Sequence, residues 1–189
     1  MVFAEQCIIF GIIQKKTDLV LCYSKTMRII GIDPGYAIVG YGIIDKEDGK
    51  PPLVHTYGCI KTEKNLPSSE RLITIYQAIT NIIITSQPTC MAIEQLFFAR
   101  NTTTALQVSE ARGVLLLAAA EYELSIFEYS PNQIKQAITG SGRADKKQIQ
   151  TMITRLLGLS AIPRPDDAAD GLAIALCHLN WIRTGEIIK

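Results

Sequence analysis

Apolar residues fall in short runs in the first part of the chain and at helical spacing later. Arg28 to Asp33 is short, Ile-rich and closed by Pro34-Gly35, which predicts a buried strand entering a turn. Ala37 to Asp45 predicts a second strand. Lys46 to Pro52, with Asp48-Gly49 inside it, predicts a hairpin connection, and Leu53 to Thr62 a third strand. A helix follows from Pro67-Ser68-Ser69-Glu70 to about Ser86, with Leu72, Ile75, Tyr76, Ile79, Ile82 and Ile83 at its spacing. Cys90 to Glu94 is a short apolar strand ending in a carboxylate. Asn101 to about Tyr122 is helical, Ser125 to Tyr129 is a last strand, and three helices close the chain at Pro131–Ile138, Ala144–Leu157 and Pro165–Arg183. The order β-β-β-α-β-α-β-α-α-α predicts an α/β fold. It has a mixed five-stranded sheet, three antiparallel strands and then strands alternating with helices, flanked by helices.

Met27-Arg-Ile-Ile-Gly-Ile-Asp reads as the first strand of a domain, so residues 1–26 are expected to be an extension and 27–189 the domain itself. The apolar runs Cys7–Ile13 and Leu19–Cys22 are too short to cross a membrane, and a basic region before the first is missing, so no membrane partner is expected. With 48% hydrophobic residues and a net charge of +1, disorder is excluded. The five cysteines are widely spaced, which points to a reducing, cytoplasmic setting rather than a disulfide framework or a zinc site.

Four acids stand out by position. Asp33 and Glu94 each end an apolar strand, which places them at the rim of the sheet, where open sheets build sites. Asp167 and Asp170 are three apart in Pro-Asp-Asp-Ala-Ala-Asp-Gly-Leu-Ala-Ile-Ala-Leu and share one helix face. Some have blander readings, Asp33 as a turn residue and Asp166 or Asp167 as a helix cap, whereas Glu is a poor choice to end a buried strand. Two carboxylates about 4 Å apart repel by roughly 4 kcal/mol at an effective dielectric of 20. Such a cluster is tolerable if protons are retained or divalent cations intervene. Oxygen ligands without His or Cys select Mg²⁺ or Mn²⁺.

Ile-Ile-Gly-Ile-Asp-Pro-Gly at 29–35, Ala-Ile-Glu-Gln-Leu-Phe-Phe-Ala-Arg-Asn at 92–101 and Asp-Ala-Ala-Asp-Gly-Leu-Ala-Ile-Ala at 167–175 resemble the RuvC family of Holliday-junction resolvases. Glu-Ala-Arg-Gly at 110–113, Tyr-Ser-Pro-Asn-Gln-Ile-Lys at 129–135 and Gly-Ser-Gly-Arg-Ala-Asp-Lys at 140–146 extend the match in family order. The resemblance implies an RNase H-like fold and a homodimer that cuts four-way DNA junctions by symmetric paired nicks, leaving ends that a ligase can seal. It also implies dependence on Mg²⁺, two ions per subunit with Mn²⁺ as a substitute, and work alongside the RuvAB branch-migration complex. Its catalytic, metal-binding carboxylates fall on Asp33, Glu94, Asp167 and Asp170. Asp166 is additional and is assigned to the helix start.

Between Pro131 and Arg164 six basic residues face the single acid Asp145, a concentration suited to phosphate contacts and equally to a solvated helix face. Arg143, Lys146, Lys147 and Lys135 are the candidate DNA contacts there, with Lys135 and Lys146 at family positions. Gly140-Ser141-Gly142 either offers backbone N–H groups to a phosphate or is a plain turn. Phe97 and Phe98 follow Glu94, and one of them is expected to stack on a base or wedge into the junction; the resemblance points to Phe97, with Arg100 steadying a nearby phosphate. The run Gly113 to Ala120 is apolar all round its helix, which fits either a subunit interface or burial on both sides. Two alternatives remain beside the nuclease reading. A non-cleaving junction-binding protein gains nothing from repelling acids beside DNA. An ATP-binding fold of the actin–Hsp70 type needs two lobes, and a single Asp-Pro-Gly does not supply them.

Overall fold

The computed structural model describes residues 26–96 and 102–184, with side chains given for 26–96 and 105–183. The element order is the predicted one: β1 (Thr26–Asp33), β2 (Ile38–Glu47), β3 (Leu53–Lys61), α1 (Ser68–Ser86), β4 (Cys90–Glu94), α2 (Thr102–Glu121), β5 (Ser125–Tyr129), α3 (Pro131–Thr139), α4 (Lys146–Leu156) and α5 (Asp166–Thr184). The five strands form one sheet in the order β3-β2-β1-β4-β5. β1, β2 and β3 pair antiparallel, whereas β4 runs parallel to both β1 and β5.

Boundaries differ from expectation by a residue or two, each for a local reason. β1 reaches back to Thr26, which pairs with Glu47. α4 begins at Lys146 instead of Ala144, because Asp145 caps it: its carboxylate accepts from the Gln148 N–H while the Gln148 side chain accepts from the Asp145 N–H. Ser130 and Gln133 make the same box at α3. In the β2–β3 connection Gly49 has a φ of 74°, the left-handed geometry for which the Asp-Gly pair is suited.

The central strands β1 and β4 are buried on both faces. On one face Ile30, Ile32, Ile43, Met91 and Ile93 pack against Ile75, Ile79 and Ile83 of α1 and Leu115, Ala118 and Ala119 of α2. On the other, Ile29, Ile44, Cys90 and Ala92 pack with Leu172, Ile174 and Leu176 of α5, and α3 and α4 complete that layer. The alternation of Ile29 and Ile30 between the two clusters is the strand period of two. β1 and β4 are parallel neighbours, so their carboxyl ends, and with them Asp33 and Glu94, lie at the same rim.

Candidate active site

The rim is fixed from beneath. Asp33 ends β1 opposite Gly40 of β2. The turn after it is clamped by buried Arg71 of α1, whose Nη2 donates to the Tyr36 carbonyl at 3.2 Å and whose Nε donates to Thr62 Oγ1 at 2.9 Å. The same guanidinium stacks on the Tyr36 ring, 3.8 Å from its centroid. Glu94 ends β4 opposite Tyr129, and the Gln95 N–H donates to the Tyr129 carbonyl at 2.9 Å, which carries the register past the acid. Arg112 of α2 bridges to this rim, donating to the Glu94 carbonyl at 3.4 Å and pairing with Glu128 at 2.6 Å. Arg112 belongs to the Glu-Ala-Arg-Gly motif, but its spacing gives no sign of this contact.

Asp33, Glu94 and Asp170 line one open cavity of about 270 Å³ together with Lys135, Asp145 and Lys146. Its apolar wall is Pro131, Ile134, Ala144, Ile149, Ala173 and Ile174. Burial, followed by the negative fields of Glu94, Asp170 and Asp167, pushes the Asp33 carboxyl up to about 7. Side-chain hydrogen bonding between the two strand-end acids adds to the rise at Asp33 and counters it at Glu94. Glu94 is also raised, first by burial and then by Asp170, while Asp33 and Lys135 pull it down. Asp170 is raised by burial against the opposing pull of Lys146. Asp167 acts on Asp33 and Asp170 through its field, so all four candidate acids belong to one electrostatic unit.

The candidate DNA contacts separate. Lys135 and Lys146 face the acids. Lys146 Nζ lies 3.2 Å from Asp170 and 3.7 Å from Asp166, so it is an ion-pair partner of the cluster. Burial lowers its affinity for a proton, but Asp170, Asp166 and Asp167 outweigh that and leave it raised. Asp166 stands at the start of α5, as assigned, and also pairs with Arg164 at 2.6 Å. Lys147 is exposed, and Arg143 lines a separate groove with Asn132, Gln133, Gln136 and Trp181. The Gly140–Gly142 turn uses two of its N–H groups internally. Its Gly140 N–H donates to the Gln136 carbonyl and its Ser141 N–H to Thr139 Oγ1, so these groups already have partners. Phe97, Phe98 and Arg100 lie outside the described residues.

An open mixed sheet with carboxylates gathered at the carboxyl ends of two parallel strands, answered by an acidic helix, defines a class of site built for phosphoryl chemistry. Similarity to known proteins narrows the class. The family model described as crossover junction endodeoxyribonuclease RuvC matches residues 29–178, and the chain belongs to the RuvC family. It is 53% identical over 153 residues to the crossover junction endodeoxyribonuclease RuvC of Caldicellulosiruptor saccharolyticus, covering 81% of this chain and 92% of that relative. The relative from Desulfitobacterium hafniense (strain DSM 10664 / DCB-2) is 55% identical over 156 residues, covering 82% and 94%. Among solved structures, Thermus thermophilus RuvC superposes with a TM-score of 0.78 at 34% identity, covering 85% of this chain and 98% of that one. The same protein in complex with a Holliday junction substrate gives 0.80 at 34% identity, covering 85% and 97%. The expected α/β architecture is therefore that of the RuvC structures.

Proposed function

We propose that this chain is a metal-dependent endonuclease that cuts four-way DNA junctions by symmetric paired nicks, acting as a homodimer in recombination and repair. The observation that carries the reading is the single cavity that Asp33, Glu94 and Asp170 line beside Lys135 and Lys146, with Asp167 acting on the same acids through its field. A protein that merely binds DNA gains nothing from acids whose mutual repulsion opposes a phosphate backbone.

The donor set fits Mg²⁺, two ions per subunit, with Mn²⁺ as a substitute. It is all oxygen, it is over-rich in negative charge, and it already holds one cation, the Lys146 ammonium. Among the described residues no group of three Asp, Glu, His or Cys side chains stands close enough to hold a metal ion by itself. Mg²⁺ usually keeps several waters and takes substrate phosphate oxygens beside one or two carboxylates. In this reading Asp33, Glu94, Asp167 and Asp170 hold the ions, which when bound supply an activated water and stabilise the leaving oxygen. Lys135 and Lys146 hold the scissile phosphate, Arg143 and Lys147 the flanking backbone, and Phe97 with Arg100 the opened strand. The nuclease domain spans 27–189 with residues 1–26 as an extension, the setting is cytoplasmic, and RuvAB is the partner that family membership supports. Among the described residues no helix is long and apolar enough to cross a membrane.

The test is incubation of the purified protein with a synthetic four-way junction and a matching linear duplex, with and without Mg²⁺. Paired nicks in the junction alone, dependent on the ion, are expected. Junction binding without cleavage in Mg²⁺ or Mn²⁺ would establish the non-cleaving alternative.

A further inference from the structure

We infer that Gly40 is a positioning residue for the carboxylate cluster: its missing side chain sets the depth at which the first turn of α5, and so Asp167, sits over Asp33. The inference rests on the metal-dependent reading above. Asp33 and Gly40 are directly opposed across the β1–β2 pair, and opposed residues point to the same face of a sheet. That face is the one α5 covers. A Cβ at Gly40 would overlap the Asp167 carbonyl oxygen and lie 3.1 Å from Asp167 Cβ. The glycine therefore lies between one strand-end acid and the backbone that carries a helix acid. Its φ is ordinary for a strand, so the position demands space and not a left-handed backbone.

Two pairs further into the sheet, Gly31 and Gly42 are also opposed on the same face, and they make the same demand for a different reason. A Cβ at Gly31 would strike Gly171 and Ala175, and one at Gly42 would come within 2.5 Å of the Leu172 nitrogen. Those neighbours belong to the buried middle of α5, in the core. The end over Gly40 differs: the segment leading into it, from Leu159 to Pro165, is mostly exposed coil. A methyl group at Gly40 meets the backbone of the first turn, so that turn must lift even though it carries buried Ala168 and Ala169. A methyl group at Gly42 must displace packed core. Equal steric insults at neighbouring positions should thus have unequal consequences, one falling on the acids and the other on stability.

Three proteins separate the two roles: wild type, Gly40→Ala and Gly42→Ala. Mg²⁺ affinity is measured by isothermal titration and melting temperature in chelator. Gly40→Ala is expected to fold and to bind Mg²⁺ about tenfold or more weakly, since a displacement near 1 Å can undo a coordinated site. Gly42→Ala is expected to lose more melting temperature while keeping its Mg²⁺ affinity within about twofold. Wild-type Mg²⁺ affinity in Gly40→Ala overturns the positioning role and leaves the nuclease reading intact. So does an unfolded Gly40→Ala, which would make the residue a packing glycine, and so does an equal loss of affinity in both variants. Failure of the wild-type protein to bind Mg²⁺ removes the metal reading and the inference together.

Discussion

Asp33 combines the cost and the use of the site in one side chain. Its carboxyl is held at about 7 by burial and by Glu94, Asp170 and Asp167. The folded pKa lies above the unfolded value, so the group's contribution to stability is complete below about pH 4 and lost as pH rises through about 7. Asparagine stays neutral throughout. Asp33→Asn is therefore expected to abolish cleavage and yet, in chelator at about pH 8, to be more stable than wild type by about 2–4 kcal/mol, with the advantage vanishing near pH 4. Chemical denaturation at the two pH values checks this. His178 has the opposite sign. It is buried in α5, bonded through Nδ1 to the Tyr129 hydroxyl at 2.7 Å, and burial depresses it to about 4. Its contribution is present above about pH 6.5 and is lost as pH falls toward 4. Between about pH 7 and pH 5 this should cost wild type about 2 kcal/mol relative to His178→Gln, which cannot ionise. Parallel denaturation curves for the two proteins at both pH values would disprove it. Legibility is uneven at this scale. Asp33 and Glu94 are visible in the sequence because a charge at the end of an apolar strand has few structural uses. Arg112 and Gly40 are not, because their parts depend on a carbonyl and a helix backbone distant in sequence.

Elements are legible wherever one period dominates. β4 and β5 match their predicted bounds because both are short apolar runs between breakers. The sequence pattern starts α4 two residues early because a capping box looks helical until its hydrogen bonds are drawn. For α2 the pattern leaves burial and interface undecided, and the structure separates them along the helix. Ala111, Leu115, Ala118 and Ala119 are buried against the sheet and α1, while Leu106 and Leu117 are 64% and 62% exposed. Leu106, Gly113 and Leu117 fall at i, i+7 and i+11 on the outer side, and nothing occupies the space beside Gly113. This face supports the proposed dimer. Leu117→Lys is expected to shift the protein from dimer to monomer by light scattering, with an effect on monomer stability of about 0.5 kcal/mol or less. A variant that remains fully dimeric would move the interface elsewhere.

For the molecule as a whole, a net charge of +1 conceals a division of labour among the cations. The six basic residues between Pro131 and Arg164 read as one patch in the sequence, but the fold uses them differently. Lys146 and Arg164 pair with carboxylates of α5, and Lys135 faces Glu94. Arg143 and Lys147 stand exposed on the surface beside the cavity. Spacing could count these charges but could not say which of them an acid would claim, since Asp170 lies 24 positions from Lys146 and Glu94 lies on a different element from Lys135. The distinction has a measurable consequence. Each phosphate neutralised adds about 0.9 to the steepness with which log affinity falls against log salt. Lys147→Ala should therefore make that slope shallower by about 1 for each phosphate that Lys147 neutralises. It should do so equally on a four-way junction and a linear duplex, because binding to the backbone carries no shape information. Cleavage of junction already bound should keep its rate, since Lys147 does not line the cavity. Lys146→Ala should behave differently, lowering the rate on bound junction more than the salt slope, because its charge is engaged with Asp170. Filter-binding isotherms across a salt series, combined with single-turnover cleavage at saturating enzyme, measure both quantities. An unchanged slope in Lys147→Ala, or a loss confined to its cleavage rate, would remove Lys147 from the DNA-binding surface.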